Sequence, residues 1–595
     1  MIDTSTPFVL LDDARGGDAT ARLFLRPQRI AVARTAGEVR AMGRFVADAR
    51  AEGLPVAGFL AYEAGHAFEP KLARFEQDAL ADAPPLAWFA AFGEVRTIPA
   101  AEVSALLPDP AGAWAGTPEP LIARSAYDRA IAAVKAYIAA GDIYQANLTF
   151  RTRVPVCGDP LALYARLRSA AAGWGGVVFT GDHWLLSASP ELFYTRQGDR
   201  LTARPMKGTT ARSTDPAEDA AAARRLTEDA KERAENLMIV DLLRNDFSRI
   251  AAPGSVSVPR LFDVETYPTV HQMTSTITAT VADPHLPPFG VAEALFPCGS
   301  VTGAPKIRAM EVIAEVEADA RGPYTGSIGG WTDEGESFNV AIRTLVMRMG
   351  EGHARLGLGS GVVADSTAEA EWRECLAKGA FVTSGAPRFD LFTTMRFEPV
   401  DGIADLDRHL ARLKHSAEAL GFVFDRHGVR NELQAATFRL RTPRRLRLRL
   451  SRTGAVAIEV RPMPAPVAGP VDVAIAPLPV TPADFRLRHK TSDRGFYDAA
   501  RSACGEFETV FVDPEGFVTE GSFTNVFVER GATLTTPPLG RGLLPGVLRE
   551  QLIEEGRTVE GDLRVADLAD GFLIGNALRG LIPARLVAGS DAPGL

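Results

Sequence analysis

Two stretches decide how the first two thirds of the chain fold. They are Ala203-Arg204-Pro205-Met206-Lys207-Gly208-Thr209-Thr210 and Glu235-Asn236-Leu237-Met238-Ile239-Val240-Asp241-Leu242-Leu243-Arg244-Asn245-Asp246. The first is a Pro-bounded turn that sets a lysine against a glycine. The second carries the carboxylate of Glu235 into a run with helical apolar spacing. Lysine is scarce here, with eight against 57 arginines. A lysine in a turn of this kind therefore has a raised chance of being kept for its primary amine, which arginine cannot replace in nucleophilic or Schiff-base chemistry.

Further out lie two more features of the same kind. Gly299-Ser-Val-Thr302-Gly-Ala-Pro-Lys306 is a Gly/Ser/Thr loop without the spacing of a phosphate loop. In Glu371-Trp-Arg-Glu374 the i, i+3 spacing puts two carboxylates on one helix face. Carboxylates from two helices, with no His or Cys beside them, suit a hard cation such as Mg2+. Arg343 and the backbone of Gly359-Ser360-Gly361 suit carboxylate anions. Taken singly, each has a plainer reading: a solvated helix face, a surface turn at Lys207, a satisfied buried histidine at His271.

The totals narrow the class. At 595 residues several domains are expected, and 46% hydrophobic with 23% charged residues is ordinary for a globular protein. A net charge of −9 argues against a nucleic-acid partner. No apolar run approaches the ~20 residues needed to span a membrane, and the first residues lack the basic region of a signal peptide. The four cysteines are scattered, without zinc-ligand or disulfide spacing. A cytoplasmic enzyme is expected.

The small-residue stretch Val382–Asp390 marks a boundary, giving domains at 1–381 and 391–595 joined by a linker at 382–390. Arg461–Pro470 reads as a linker between lobes of the second domain, and Leu107–Pro120 as a loop or a crossing between subdomains. The pattern predicts a hairpin over 175–196, one long helix over 217–250 and a glycine-interrupted strand over 353–366. It also predicts a hairpin over 444–462 turning at Arg452-Thr453-Gly454. The fold class is α+β, rich in antiparallel sheet.

Nine motifs occur in order: SASPELF, MKGTT, ENLMIVDLLRND, VHQMTSTI, GSVTGAPK, GPYTGSIG, FNVAIRT, GSGVVADS and EWRECLAK. Together they resemble the chorismate-utilising enzymes over roughly residues 50 to 380. In the P-x-x-G-T turn anthranilate synthases resemble P-I-A-G-T and aminodeoxychorismate synthases P-I-K-G-T; this chain has Lys207 there. Gly141–Phe150 also looks like the aminodeoxychorismate branch.

The resemblance implies a large antiparallel sandwich in which Lys207 attacks ring C2 of chorismate as the C4 hydroxyl leaves. Ammonia then displaces the lysine at C4. A neutral lysine is needed, so a depressed pKa is expected. Glu235 and Glu374, with Glu371 nearby, would hold Mg2+. Thr302, Lys306, Tyr324, Arg343, Gly359, Ser360 and Gly361 would hold the carboxylates and enolpyruvyl group, and Glu191 and His271 would be the proton donors. No G-x-C-x-G elbow is present, so a separate glutamine amidotransferase would supply ammonia.

Residues 391–595 carry LFTTMRF, HLARL, LRHKTSDRGFYD, VTEGSFTNVF, LLPGVLR and IGNALRGLIPA. This set resembles the class IV pyridoxal-phosphate family, a two-lobed α+β domain that includes aminodeoxychorismate lyase. It implies Lys490 as the Schiff-base lysine, Glu520 facing the pyridine nitrogen, and Arg412 with the Gly546-Val547 backbone at the phosphate. Asn576 and Ala577 fall at a further cofactor-binding position. Two departures stand out: the usual N-terminal strand is absent, and Ala577 replaces a phosphate-binding Ser or Thr.

Joined, the halves would make the folate precursor p-aminobenzoate from chorismate. The alternatives are a synthase with a non-catalytic C-terminal domain, or an anthranilate-type synthase fused to an aminotransferase. A homodimer through the C-terminal domain is an assembly this organisation allows.

Overall fold

The computed structural model describes residues 2–15, 18–170, 173–266, 270–467 and 469–587. The chain divides into two compact units. One comprises 1–107, 117–154 and 164–385; the other comprises 386–595 together with 108–116 and 155–163.

The first unit is built on antiparallel ladders. Phe8–Asp13 lies between Thr20–Ala33 and Trp174–Phe179, and Thr20–Ala33 pairs along its length with Ala87–Pro99. Trp174–Phe179 and His183–Ser187 form the expected hairpin. Met206–Ala211 and Arg200–Arg204 both pair with Val270–Thr280.

The long helix expected over 217–250 is two helices, Pro216–Glu228 and Ala230–Ser248. Asp229 takes an extended backbone between them, and its carboxylate accepts from the Glu232 amide at 3.0 Å, capping the second helix. That helix packs beneath Met206–Ala211 and so brings Glu235 to Lys207.

The glycines of strand His353–Val362 are required by close approach. A Cβ on Gly359 would stand 2.7 Å from Thr149 Cγ2, and one on Gly361 2.6 Å from Gln145 Nε2. The strand lies flat on its neighbour because it carries no side chain at these points.

In the second unit, one lobe is an antiparallel sheet of Leu391–Glu398, Gly402–Ile403, Arg444–Leu450 and Val456–Pro462. The helices Leu406–Ala419 and Arg426–Thr437 accompany it. Alternation along Arg444–Leu450 buries Leu446, Leu448 and Leu450 and turns Arg445, Arg447 and Arg449 to the other face. Trp114, on the segment read from sequence as a loop or crossing, is buried in this lobe's core with Arg452 over its ring.

The other lobe is a mixed sheet. Val471–Pro477 runs parallel to both Glu508–Val512 and Gly580–Leu586, while Asn525–Arg530 and Phe572–Asn576 pair antiparallel. Of the stretch read as a linker between lobes, Arg461 and Pro462 end strand Val456–Pro462, and the next strand begins at Val471.

Candidate active sites

In the first unit, Lys207 Nζ lies 3.1 Å from Glu235 Oε2 and within 3.6 Å of where a Gly361 Cβ would sit. Burial acts to lower its pKa, but the carboxylates of Glu235, Glu374 and Glu232 outweigh burial and hold the ammonium above its ordinary value. The depressed pKa expected from sequence is therefore corrected. The reason is a concentration of acids from two helices around one amine, which linear spacing does not reveal.

Glu191 is buried on the approach to strand Leu192–Gln197, and its Oε1 has no hydrogen-bond partner. Burial pushes its carboxyl up to about 7, against the lowering effects of a Ser300 hydrogen bond and the Lys207 charge. It thus holds a proton near neutrality beside the lysine, as a general acid must. His271 is differently placed. Nδ1 meets Thr266 Oγ1 at 3.0 Å and Nε2 meets Asp219 Oδ1 at 3.0 Å, so both ring nitrogens are engaged by protein groups.

The remaining positions are ordered by the fold. Thr302 Oγ1 donates to the Gly299 carbonyl at 3.0 Å. Lys306 donates to Asp246 Oδ2 at 3.1 Å and to the Leu295 carbonyl at 2.6 Å, which uses two of its three N–H groups. Tyr324 packs so closely on Gly357 that a Cβ there would fall 2.1 Å from its ring. Arg343 holds a left-handed backbone, φ 49°, uncommon for a non-glycine residue. Ser360 is fully buried between Gly359 and Gly361.

Among the described residues no three His, Cys, Asp or Glu side chains are assembled as a metal cluster. Glu235 is paired with Lys207, Glu374 with Lys378 at 2.7 Å, and Glu371 accepts from Ser366 Oγ at 2.7 Å. The donor set still fits a hard cation. Glu371 Oε2 is buried with no partner, and Glu235 and Glu374 both act on the one ammonium of Lys207.

The second unit encloses a cavity of about 680 Å3. Lys490, Glu520, Arg412, Gly546, Val547, Asn576 and Ala577 all line it. Burial, with Arg494 and Arg412 nearby, holds the Lys490 amine well below its ordinary pKa, against the opposing pull of Glu520. Its side chain rests over the Phe392 ring at 5.2 Å.

Burial pushes Glu520 up to about 7; Tyr497 Oη donates to its Oε1, and the Leu544 amide to its Oε2 at 3.1 Å. Arg412 donates to Thr393 Oγ1 at 3.0 Å. Gly546 caps helix Val547–Glu554, and a Cβ there would stand 1.9 Å from Asn525 Oδ1. Asn576 accepts from the Leu578 and Arg579 amides at 3.1 and 3.0 Å, shaping the turn that presents Ala577.

A neutral buried lysine, a buried acid and an arginine beside a helix N-terminus fit pyridoxal phosphate, with Ala577 contributing no hydroxyl. Lys414 is exposed and paired with Glu418, so Lys490 is the amine the cavity offers.

Sequence reading passed over several residues. Gln145 sits against Gly361 within the quoted Gly141–Phe150 motif. Asp246 anchors Lys306. Glu508 accepts from the Ser522 and Phe523 amides and the Ser522 and Thr524 hydroxyls, ordering the loop after Glu520. The arginine face of Arg444–Leu450 was legible as alternation but was given no role.

A lysine ammonium beside a carboxyl that keeps its proton near neutrality, glutamates apt for a cation and a bare glycine strand together make an enzyme's active site. Comparison with known proteins narrows that class: the chain belongs to the chorismate binding enzymes, whose family model matches residues 15–384. Residues 390–587 match the class IV amino-transferase model.

Aminodeoxychorismate synthase component 1 of Klebsiella aerogenes is 41% identical over 296 residues, covering 49% of this chain and 62% of that protein. Its Escherichia coli K12 counterpart is 42% identical over 257 residues, covering 43% and 56%. Anthranilate synthase component 1 of Thermus thermophilus is 42% identical over 257 residues, covering 43% and 55%. The chain thus spans less than two thirds of the length of these relatives. The crystal structure of anthranilate synthase component I from Streptococcus pneumoniae shares the fold, at 24% identity and TM-score 0.52 over 64% of this chain and 93% of that one. Among the described residues no helix is long and apolar enough to cross a membrane.

Proposed function

We propose that the chain makes p-aminobenzoate from chorismate in two steps, one in each unit. The observation that carries this reading is the lysine at position 207, set between Glu235 and Gly361 with the protonated Glu191 carboxyl nearby. Lys207 forms a bond to ring C2 while the C4 hydroxyl departs as water, taking its proton from Glu191. Ammonia then bonds to C4 and the Lys207–C2 bond breaks, giving 4-amino-4-deoxychorismate.

The Lys207 ammonium must lose its proton before it can attack. Mg2+ held by Glu235 and Glu374, with Glu371 beside them, would neutralise the acids that retain that proton and supply positive charge for a substrate carboxylate. Arg343 and the Gly359–Gly361 backbone orient the substrate. Ammonia comes from a separate glutamine amidotransferase.

In the second unit Lys490, neutral because it is buried, removes the proton from C4 of the aminodeoxychorismate, and pyruvate leaves from C3 as the ring becomes aromatic. Bound pyridoxal phosphate supplies the electron sink for this elimination. Glu520, fixed by Tyr497 and the Leu544 amide, holds a proton toward the cofactor's ring nitrogen, and Arg412 with the Gly546-Val547 amides holds its phosphate.

The test is to supply chorismate and ammonium and identify the product. p-Aminobenzoate is expected. Anthranilate would overturn the assignment of the first site, and aminodeoxychorismate alone would overturn that of the second.

A further inference from the structure

Ala577 brings no hydroxyl to the cavity of the second unit, so a cofactor phosphate there leans more heavily on Arg412. The aim of that guanidinium then matters. Two oxygens fix it: the Pro545 carbonyl accepts at 3.4 Å and Thr393 Oγ1 at 3.0 Å. Thr393 is buried on strand Leu391–Glu398, and its hydroxyl also meets His409 Nδ1 at 2.7 Å. His409 precedes Arg412 by three residues in helix Leu406–Ala419, so both side chains leave the same helix face.

The roles in this chain of three follow from counting protons. Arginine only donates, so Thr393 Oγ1 accepts from Arg412. Burial, with the Arg412 and Lys490 charges nearby, pushes the His409 imidazole down to about 3. Near neutrality the ring therefore carries one N–H. With that proton on Nδ1, two groups go unsatisfied: the Thr393 hydroxyl proton has no other acceptor among the described residues, and Nε2 is buried without a partner. With the proton on Nε2, only that N–H is left over. Each unpaired buried group is costly, so the second tautomer is favoured. The Thr393 O–H then donates to Nδ1, which turns an Oγ1 lone pair toward Arg412.

We propose that His409 is a positioning residue for the cofactor, acting through Thr393 to aim Arg412 at the phosphate. This deepens the reading of Arg412 as a phosphate ligand and rests on it. What the site needs from His409 is an acceptor at the Nδ1 position. Asparagine places an oxygen there and phenylalanine does not.

The test titrates full-length protein, freed of cofactor, with pyridoxal phosphate and separately with pyridoxal, which lacks the phosphate. The visible band of the bound compound reports binding in both cases. His409→Phe and Thr393→Val should each weaken pyridoxal phosphate by about fivefold to tenfold, the scale of one lost hydrogen bond. Pyridoxal should change by less than about twofold. The double variant should bind no more weakly than the single ones, because both changes break the same chain. His409→Asn should recover most of the loss.

Equal weakening of both compounds by His409→Phe would make the histidine merely structural and overturn the proposal. Unchanged affinity for pyridoxal phosphate would overturn it too, as would losses that multiply in the double variant. If His409→Phe does not fold, the isosteric Thr393→Val decides: its loss must be confined to the phosphate form. Arg412→Gln is titrated beside them and should remove the preference for that form. A preference that survives Arg412→Gln would refute the reading of Arg412 itself.

Discussion

Replacing Glu191 by Gln separates the chemistry of the first site from its stability. Burial raises the Glu191 carboxyl from an ordinary 4.5 to about 7, so between those pH values the folded protein holds a proton that the unfolded chain has released. Stability must therefore fall as pH rises through that window, and the loss is complete above about pH 7. A shift from 4.5 to about 7 corresponds to about 3 kcal/mol.

Glutamine has the same shape, can accept the Ser300 hydrogen bond and carries no charge. Glu191→Gln should accordingly match the wild type at pH 5 and be more stable by about 3 kcal/mol at pH 8. Ammonia-dependent consumption of chorismate should meanwhile fall by about 100-fold or more, the usual scale for loss of a positioned proton donor. The assay is urea unfolding of the first unit at both pH values, together with chorismate consumption corrected for free ammonia. Equal stability of the two proteins at pH 8 would refute the buried, proton-holding state of Glu191. Undiminished turnover would refute its role as the acid.

Lys207→Ala should lower ammonia-dependent turnover by more than about 100-fold while supplied aminodeoxychorismate is still converted; unchanged synthase rates would exclude a covalent role. EDTA should stop the first reaction and spare the second when each is assayed with its own substrate, because Glu235, Glu371 and Glu374 belong to the first unit and the second reaction draws on pyridoxal phosphate. Trp114→Ala should destabilise the second unit by about 3 to 5 kcal/mol and loosen cofactor retention, although it lies 275 residues before Phe389, the next buried residue of the core it fills; thermal unfolding followed through the cofactor band reads this directly. Borohydride reduction of the loaded protein should fix the cofactor to the peptide containing His489-Lys490-Thr491-Ser492-Asp493-Arg494, and label at Lys414 instead would displace Lys490 from its role.

The ordered motifs of the second unit named residues that the fold brings to one cavity. Lys490, Glu520, Arg412, Gly546, Val547, Asn576 and Ala577 are spread over some 165 positions yet line one cavity. All but Arg412, which lies inside helix Leu406–Ala419, sit at a turn, a strand end or a helix start, where local sequence dictates geometry. In the first unit the fold pairs Lys207 with Glu235, two residues singled out from sequence, but the electrostatics there were not legible, because the proximity of Glu232 and Glu374 to Lys207 depends on how separate helices approach one strand.

The helix break at Asp229 had a local signal. Asp229-Ala230-Lys231-Glu232 has the capping-box pattern, but it was hidden inside a continuous run of helix formers. Trp114 had no such signal. Nothing near it in sequence tells which core it enters, since burial by a distant segment is a property of the assembled unit alone.

The central claim, that one chain carries two successive reactions on separate lysines, is tested most directly by the products of Lys490→Ala. Given chorismate and ammonium, the variant should accumulate 4-amino-4-deoxychorismate at the wild-type rate of chorismate consumption and release no p-aminobenzoate, while the wild type yields p-aminobenzoate. p-Aminobenzoate formed by the variant at the wild-type rate would contradict the account.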